Sequence, residues 1–129
     1  MLQNMNDTEQ KPQRVVVIGS KGFVGRHVCN ALGKAQITFI GLSRNEVDLY
    51  NENASTHLRD LLLEGDVVIA CAAKAPARNI QDLQSNLLLA QSIFDAVKEI
   101  NVSHFVNISS DAVYCDEPLP LNESSPTSP

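Results

Sequence analysis

The sequence has few of the residues that disulfide-bonded and metal-binding proteins require. It contains only three cysteines, Cys29, Cys71 and Cys115, and no Cys-x-x-Cys pair. An odd, dispersed set of this kind favours a reducing compartment and predicts neither a disulfide framework nor a zinc site. The three histidines are also far apart along the chain. We therefore predict no bound metal.

Positive charge and long apolar runs are also scarce. Ten Lys and Arg face fifteen Asp and Glu, for a net charge of −5, and no basic cluster stands out. This balance argues against a nucleic-acid partner. No apolar stretch approaches the length of a membrane span, and residues 1–13 are too polar for a signal peptide. We expect a cytoplasmic protein without a membrane partner, with a disordered lead-in over 1–13 and one domain over 14–129.

The most informative stretch is an apolar run that ends in three spaced glycines. Residues 15–18 are all β-branched, and Gly19, Gly22 and Gly25 follow in a G-x-x-G-x-x-G spacing. Such a run is typical of a strand buried on both faces. Glycines at the start of the next helix let its N–H groups approach a pyrophosphate. The stretch therefore predicts a dinucleotide site, although a plain strand–turn–helix joint also favours glycine.

The rest of the chain alternates between strand and helix patterns. Predicted strands cover 14–18, 37–42, 66–72 and 102–108, with a short extended piece at 46–49. Predicted helices cover 22–34, 54–63 and 80–100. This alternation predicts an α/β Rossmann-type fold, a doubly wound parallel sheet with right-handed crossovers.

The longest predicted helix has two apolar faces. One face comprises Ile80, Leu83, Leu87, Ala90, Phe94 and Val97, and the other comprises Leu89, Ile93, Ala96 and Ile100. One face must cover the sheet. We expect the face that contains Leu89 to need a further partner, either a following helix or the second subunit of a homodimer.

Five motifs, in order along the chain, carry a resemblance to one family. They are Gly19-x-x-Gly22-x-x-Gly25, Val47-Asp48-Leu49, Ala72-Ala73, Asn86, and Ile108-Ser109-Ser110-Asp111-Ala112-Val113-Tyr114. Together they resemble the extended short-chain dehydrogenase/reductase superfamily, and within it the nucleotide-sugar epimerases, dehydratases and 4-keto-sugar reductases. The resemblance covers about residues 14–129, which correspond to the N-terminal part of such an enzyme.

The resemblance implies a cofactor site and a nucleotide-sugar or related substrate. Asp48 would accept a hydrogen bond from the adenine amine, unless it is a turn or capping residue. Asn86 would stabilise a strand–helix joint, unless it is a solvated helix position. The implied cofactor-binding residues are Gly19, Ser20, Lys21, Gly22, Phe23, Val24, Gly25, Arg44, Asp48, Leu49, Ala72, Ala73, Lys74, Asn86 and Ser109.

The choice between NAD and NADP depends on the residues near the adenosine ribose. Lys21 lies in the glycine turn and Arg44 follows the second strand, which ends without an acidic residue. A carboxylate at this position would select the 2′-hydroxyl of NAD. We therefore expect NADP to be favoured over NAD, because two cations can pair with its 2′-phosphate. The alternative is that both are ordinary solvated cations.

The implied catalytic residues are Ser110 and Asp111. Ser110 matches the family's catalytic Ser/Thr and would hydrogen-bond the reacting oxygen of the sugar, unless it simply ends a strand. Asp111 resembles the Asp of the dehydratases and keto-sugar reductases, or it caps a loop N–H group. The dehydratases follow this Asp with a Glu, whereas this chain has Ala112. Reduction or epimerisation is therefore favoured over dehydration.

The family's Tyr-x-x-x-Lys pair does not occur in these residues, and Tyr114 matches a different tyrosine of the family. We expect the chain to be the catalytically incomplete N-terminal part of an NAD(P)-dependent enzyme. The alternatives are a non-catalytic dinucleotide-binding sensor or scaffold module, and a Rossmann-like domain that has lost its ligand.

Overall fold

The computed structural model describes residues 10–115 and 120–128. They form a parallel sheet with the strand order β2-β1-β3-β4. The strands are β1 (Val15–Ile18), β2 (Phe39–Leu42), β3 (Val67–Ala70) and β4 (His104–Asn107), and the helices are α1 (Phe23–Lys34), α2 (Ala54–Leu61) and α3 (Ile80–Val97), followed by a 3-10 helix at Asp111–Val113. The predicted α/β Rossmann-type class is confirmed.

Seven of the eight predicted elements are present, each shorter than expected, and the eighth prediction is wrong. The expected extended piece at 46–49 is a turn, in which the amides of Glu46 and Val47 donate to the Ser43 carbonyl oxygen at 3.1 and 2.9 Å. Two of the four residues there are charged, and the segment forms local hydrogen bonds with Ser43 instead of joining the sheet. The expected lead-in at 1–13 lies largely outside the described residues.

The core is built around β1. Val16 and Val17 are 0% exposed, and Val15 and Ile18 are almost as deeply buried. β1 pairs in parallel with both β2 and β3, and Ile18 lies beside Leu42 and Ala70. The carboxyl ends of these three strands therefore meet at one edge of the sheet, where ligands of open α/β sheets bind.

A buried ion pair holds the opposite edge of the sheet. Arg14 donates to the two carboxylate oxygens of Asp66 at 2.8 and 2.6 Å, and also to the Leu61 carbonyl oxygen. The backbone oxygen of Asp66 accepts hydrogen bonds from the amide and hydroxyl of Ser103. The Asp66 carboxylate is 2% exposed. This one residue thus connects the starts of β1, β3 and β4.

The orientation of α3 is the opposite of the one predicted. Leu89, Ile93 and Ala96 are buried in the core cluster, and α3 packs against α2. On the other face, Leu87 and Phe94 are 62% and 64% exposed. The expectation that the face with Leu89 needs an external partner is therefore wrong. α2 and the sheet already cover that face, whose small Ala96 permits close packing.

Candidate functional site

The turn between β1 and α1 forms the centre of the site. Gly19 has a φ of +83°, and a Cβ there would lie 2.8 Å from the Ala72 backbone nitrogen. Only glycine fits this conformation and this contact. The amides of Gly19 and Ser20 both donate to the Leu42 carbonyl oxygen, at 2.8 and 3.0 Å. The turn is thus fixed to the end of β2.

The first turn of α1 presents free backbone donors. Gly22 is the N-cap and provides no side-chain hydrogen bond. Within the described part of the chain, the amides of Phe23, Val24 and Gly25 have no acceptor. A Cβ on Gly25 would overlap the Gly19 carbonyl group, so glycine allows the helix to begin against the turn. Free amides at the positive end of a helix suit a phosphate group.

The segment after β2 forms a second wall and contains a carboxylate with well-defined partners. Glu46 accepts hydrogen bonds from the Ser43 amide at 2.7 Å and from the Ser43 hydroxyl at 2.6 Å. The hydroxyl bond, then the amide bond, hold the pKa of Glu46 below its usual range, and the charge of Lys21 adds to this effect. Glu46 is therefore ionised at neutral pH.

Asp48 and Arg44 interact with each other and with Tyr50. Arg44 Nε lies 3.8 Å from Asp48 Oδ1, and the guanidinium carbon lies 5.2 Å from the centre of the Tyr50 ring. The Tyr50 amide donates to the same Asp48 oxygen at 3.1 Å. In this structure Asp48 thus acts as a turn residue. Its contact with adenine stays a prediction.

The three strand ends enclose a cavity of about 470 Å³. Seven of its lining residues are predicted site residues: Gly19, Gly22, Arg44, Asp48, Leu49, Ala72 and Ala73. The sequence analysis missed the other seven: Ile18, Leu42, Ser43, Val47, Tyr50, Cys71 and Leu89. Ser43, Tyr50 and Cys71 each lie next to a predicted residue in the sequence. Ser43 and Cys71 directly follow strands, so adjacency at a strand end is a signal that could have found those two.

Eight predicted cofactor-binding residues do not line this cavity. Five of them belong to the glycine turn or the start of α1: Ser20, Lys21, Phe23, Val24 and Gly25. The other three are Lys74, Asn86 and Ser109, which lie after β3, within α3 and after β4. The structure thus brings together the predicted residues at the ends of β1, β2 and β3.

Two side chains of α3 hold the loop that follows β3. The Asn86 side chain accepts from the Lys74 amide at 2.7 Å and donates to the Lys74 carbonyl oxygen at 2.9 Å. Asp82 accepts from Lys74 Nζ at 2.5 Å and from the Arg78 amide at 3.0 Å. The hydrogen bond with Lys74 lowers the pKa of Asp82 and raises that of Lys74. Asn86 therefore bridges the strand–helix joint.

The predicted catalytic residues lie elsewhere. Ser110 Oγ accepts from the Ala112 amide at 3.2 Å and lies 3.3 Å from Asp111 Oδ1. Ser110 thereby caps the 3-10 helix, and both residues are exposed. Asp111 lines a separate cavity of about 540 Å³, together with Tyr114. The structure does not place Ser110 or Asp111 in the cavity formed by the glycine turn.

The glycine-turn cavity suits a ligand that contains phosphate groups. The free amides at the start of α1 beside it, the close approach of backbone and its place at the strand ends all fit a dinucleotide. The described residues contain no group of three or more His, Cys, Asp or Glu that could hold a metal ion. In that same part of the chain, no helix is both long and apolar enough to cross a membrane.

Comparison with known proteins places these features in one family. The family model described as "NAD dependent epimerase/dehydratase family" matches residues 15–129. The structure resembles UDP-N-acetylglucosamine 4-epimerase from Bacillus cereus, with a TM-score of 0.72 and 30% identity over 90% of this chain and 47% of that one. It also resembles a GDP-L-fucose synthetase from Naegleria fowleri bound to NADP, with a TM-score of 0.76 and 21% identity over 97% of this chain and 40% of that one.

A curated relative is the dTDP-4-dehydrorhamnose reductase of Mycolicibacterium smegmatis. It is 33% identical over 70 residues, which are 54% of this chain and 20% of the reductase. The chain thus spans less than half the length of each of these three proteins.

Proposed function

The chain belongs to the NAD dependent epimerase/dehydratase family, and we propose that it is the dinucleotide-binding part of an enzyme that acts on a nucleotide-sugar or a related carbonyl or hydroxyl substrate. The observation that carries the proposal is the glycine turn, which presents free amides beside a cavity at three strand ends. A pyrophosphate would accept from these amides. The nicotinamide would supply or accept a hydride when bound.

We propose that the site prefers NADP over NAD. Arg44 lines the cavity and its side chain is 70% exposed, so it can turn from Asp48 toward a 2′-phosphate. A charge-assisted hydrogen bond of this kind contributes about 1.5–3 kcal/mol.

Titration of the 129-residue chain with both cofactors by calorimetry tests this preference. We expect Arg44→Ala to weaken NADP binding about tenfold or more and to leave NAD binding nearly unchanged. Lys34→Ala, at the far end of α1, is the matched control. Equal affinities for the two cofactors, or tighter binding of NAD, would disprove the preference.

For Ser110 and Asp111 we propose roles on the substrate side. The Ser110 hydroxyl would orient a sugar oxygen, and Asp111 would donate or accept a proton there. Neither the Ser110 hydroxyl nor the Asp111 carboxylate can replace the Tyr-x-x-x-Lys pair of the family, which these 129 residues do not contain. A serine is too weak an acid or base near neutral pH. We therefore propose that the chain binds cofactor without turning over substrate.

An assay with NADPH and a keto-sugar nucleotide tests this proposal. We expect no hydride transfer by the 129 residues. In a longer form that includes a Tyr-x-x-x-Lys pair, Ser110→Ala should lower kcat, whereas Ser109→Ala should lower it much less. Turnover by the 129 residues alone would refute the proposal that the chain is catalytically incomplete. Full activity of the longer Ser110→Ala variant would remove Ser110 from the mechanism.

A second candidate is a dinucleotide-binding module without catalysis. It is favoured by the position of Ser110, whose hydroxyl caps a 3-10 helix outside the glycine-turn cavity. Tight cofactor binding without turnover, even in a longer form, would support this alternative.

We also propose that the chain forms a homodimer through the exposed face of α3, defined by Ile80, Leu83, Leu87 and Phe94. Apolar residues grouped on a surface mark association sites. Sedimentation equilibrium tests this, and Leu87→Ser should shift the equilibrium toward monomer. A protein that stays monomeric at all concentrations would contradict the proposal.

A further inference from the structure

Four charged side chains surround the end of β2. Lys21 and Arg44 are the cations, and Glu46 and Asp48 are the carboxylates. Asp48 Oδ1 lies 3.8 Å from Arg44 Nε. Glu46 accepts a hydrogen bond from the Ser43 amide, and the charge of Lys21 helps to lower the pKa of Glu46. The two cations that favour a 2′-phosphate are therefore balanced by two anions in the folded chain, although no acidic residue ends the strand in the sequence.

Glu46 occupies two hydrogen-bond donors at this strand end. The Ser43 amide and hydroxyl both donate to the same carboxylate oxygen, Oε2, at 2.7 and 2.6 Å. Ser43 is 8% exposed and lines the glycine-turn cavity beside Arg44. A backbone amide and a hydroxyl are donors that phosphate oxygens also use. The carboxylate thus holds groups that an incoming anion would otherwise find free.

We infer that Glu46 is a specificity-determining residue of the dinucleotide site, because its carboxylate opposes a 2′-phosphate and thereby limits the preference for NADP. The inference rests on the proposed function, since it concerns the cofactor of the same site. A 2′-phosphate is an anion, whereas the 2′-hydroxyl of NAD is neutral. A negative charge near the ribose therefore repels NADP and leaves NAD almost unaffected.

Glu46→Gln is the most direct test, because the amide oxygen of glutamine can still accept from Ser43 while the charge is lost. Glu46 is exposed, so the variant should fold. In calorimetric titrations at about 50 mM salt, we expect the Kd for NADP to fall about three- to tenfold. The Kd for NAD should change less than about twofold. Glu64→Gln is the matched control, because Glu64 is also exposed and lies before β3, at the opposite edge of the sheet.

Salt concentration separates an effect of charge from a change of shape. At about 1 M salt the Debye length is about 3 Å, so the gain in NADP affinity should shrink to less than about twofold. A gain that does not depend on salt, an equal change for both cofactors, or no change for NADP would overturn the inference while leaving the proposed function intact. If the unaltered chain binds neither dinucleotide, the proposed function fails, and this inference fails with it.

Discussion

The segments that follow β1 and β4 lie at the same edge of one sheet but are built differently. β1 is buried along its whole length and pairs with strands on both sides. In β4, Phe105 is 40% exposed, and His104 and Asn107 are exposed too. Within the described residues, β4 pairs only with β3. The glycine turn follows β1, and the predicted catalytic Ser110 follows β4.

This difference determines how firmly each segment is held. The turn after β1 is fixed by backbone contacts with Leu42 and Ala72, which belong to neighbouring strand ends. After Ile108, whose amide donates to the Ala70 carbonyl oxygen at 3.0 Å, the segment that follows β4 is held by the Ser110 cap and by a bridge between Tyr114 and Thr127. A phosphate site requires backbone amides in fixed positions, whereas a hydroxyl that orients a substrate can rotate. The two proposed functions thus fit the two kinds of construction.

The largest expected effect is that of Gly25→Ala. The added Cβ would overlap the Gly19 carbonyl group, and because backbone on both sides must move, we expect a loss of about 4 kcal/mol in the free energy of unfolding. Dinucleotide binding should be lost as well. Chemical denaturation and calorimetry measure the two effects.

Gly33→Ala, in the same helix, is the control. The nearest atom to its added Cβ is Phe39 Cε1 at 3.9 Å, so we expect a stabilisation of about 0.5–1 kcal/mol. If Gly25→Ala were as stable as Gly33→Ala, the turn after β1 would not be rigid, and the contrast with the segment after β4 would disappear.

The next largest effect sharpens the same contrast within one helix. Ile93 and Phe94 are neighbours in α3 and are 4% and 64% exposed. Ile93→Ala should cost about 3 kcal/mol, because it leaves a cavity in the core. At concentrations where the chain is monomeric, Phe94→Ala should stay within about 0.5 kcal/mol. Thermal unfolding of both variants checks this. If Phe94→Ala were the more destabilising of the two, the result would support the orientation of α3 expected from the sequence.

A smaller effect is expected for Ser110→Ala. It removes the cap of a one-turn 3-10 helix, so we expect a loss of about 0.5 kcal/mol or less. Urea unfolding of the variant measures the change. A loss of 2 kcal/mol or more, comparable to that of a core residue, would show that the segment after β4 is as firmly built as the turn after β1.

The smallest effect is local and depends on pH. The pKa of Asp82 lies below its usual value of 3.8, mainly because of its hydrogen bond with Lys74. The bonds of Asp82 therefore stabilise the loop after β3 fully above pH 3.8, and this stabilisation is lost as the pH falls through the lowered pKa. NMR should show the Arg78 amide titrating below the normal range, and Asp82→Asn should abolish this. Asp60→Asn is the control on α2. Titration at or above the usual pKa of an aspartate would contradict the prediction.

The elements that local patterns determine were predictable from the sequence. A continuous run of β-branched residues has few alternatives to a buried strand, and three spaced glycines can serve both the turn and the start of α1. The face of α3 was not predictable in the same way. Both of its faces are apolar, and the choice depends on α2, which lies elsewhere in the sequence and packs on Leu89, Ile93 and Ala96.

The proposed cofactor side of the site shows the same limit. The absence of an acidic residue at the end of β2 was read correctly from residue order, but Glu46 folds back onto Ser43 through a turn. A search of the sequence confined to the end of β2 cannot detect Glu46, because this carboxylate reaches the strand end only by bonding to Ser43, three residues earlier in the chain. Similarly, Ser43 and Cys71 line one cavity because the ends of β2 and β3 flank the end of β1.

The central position of β1 has a consequence for biosynthesis. β1 leaves the ribosome before both of its neighbours, and Val67 in β3, the partner of Val15, lies 52 residues after it. At about 5–20 residues per second, this partner is made roughly 3 to 10 s later. During that time one edge of this apolar strand, which has strong β-propensity, stays unpaired even after β2 has been made. We therefore expect β1 to be a segment that ribosome-associated chaperones shield, and its pairing on both sides to be completed only after β3 has emerged.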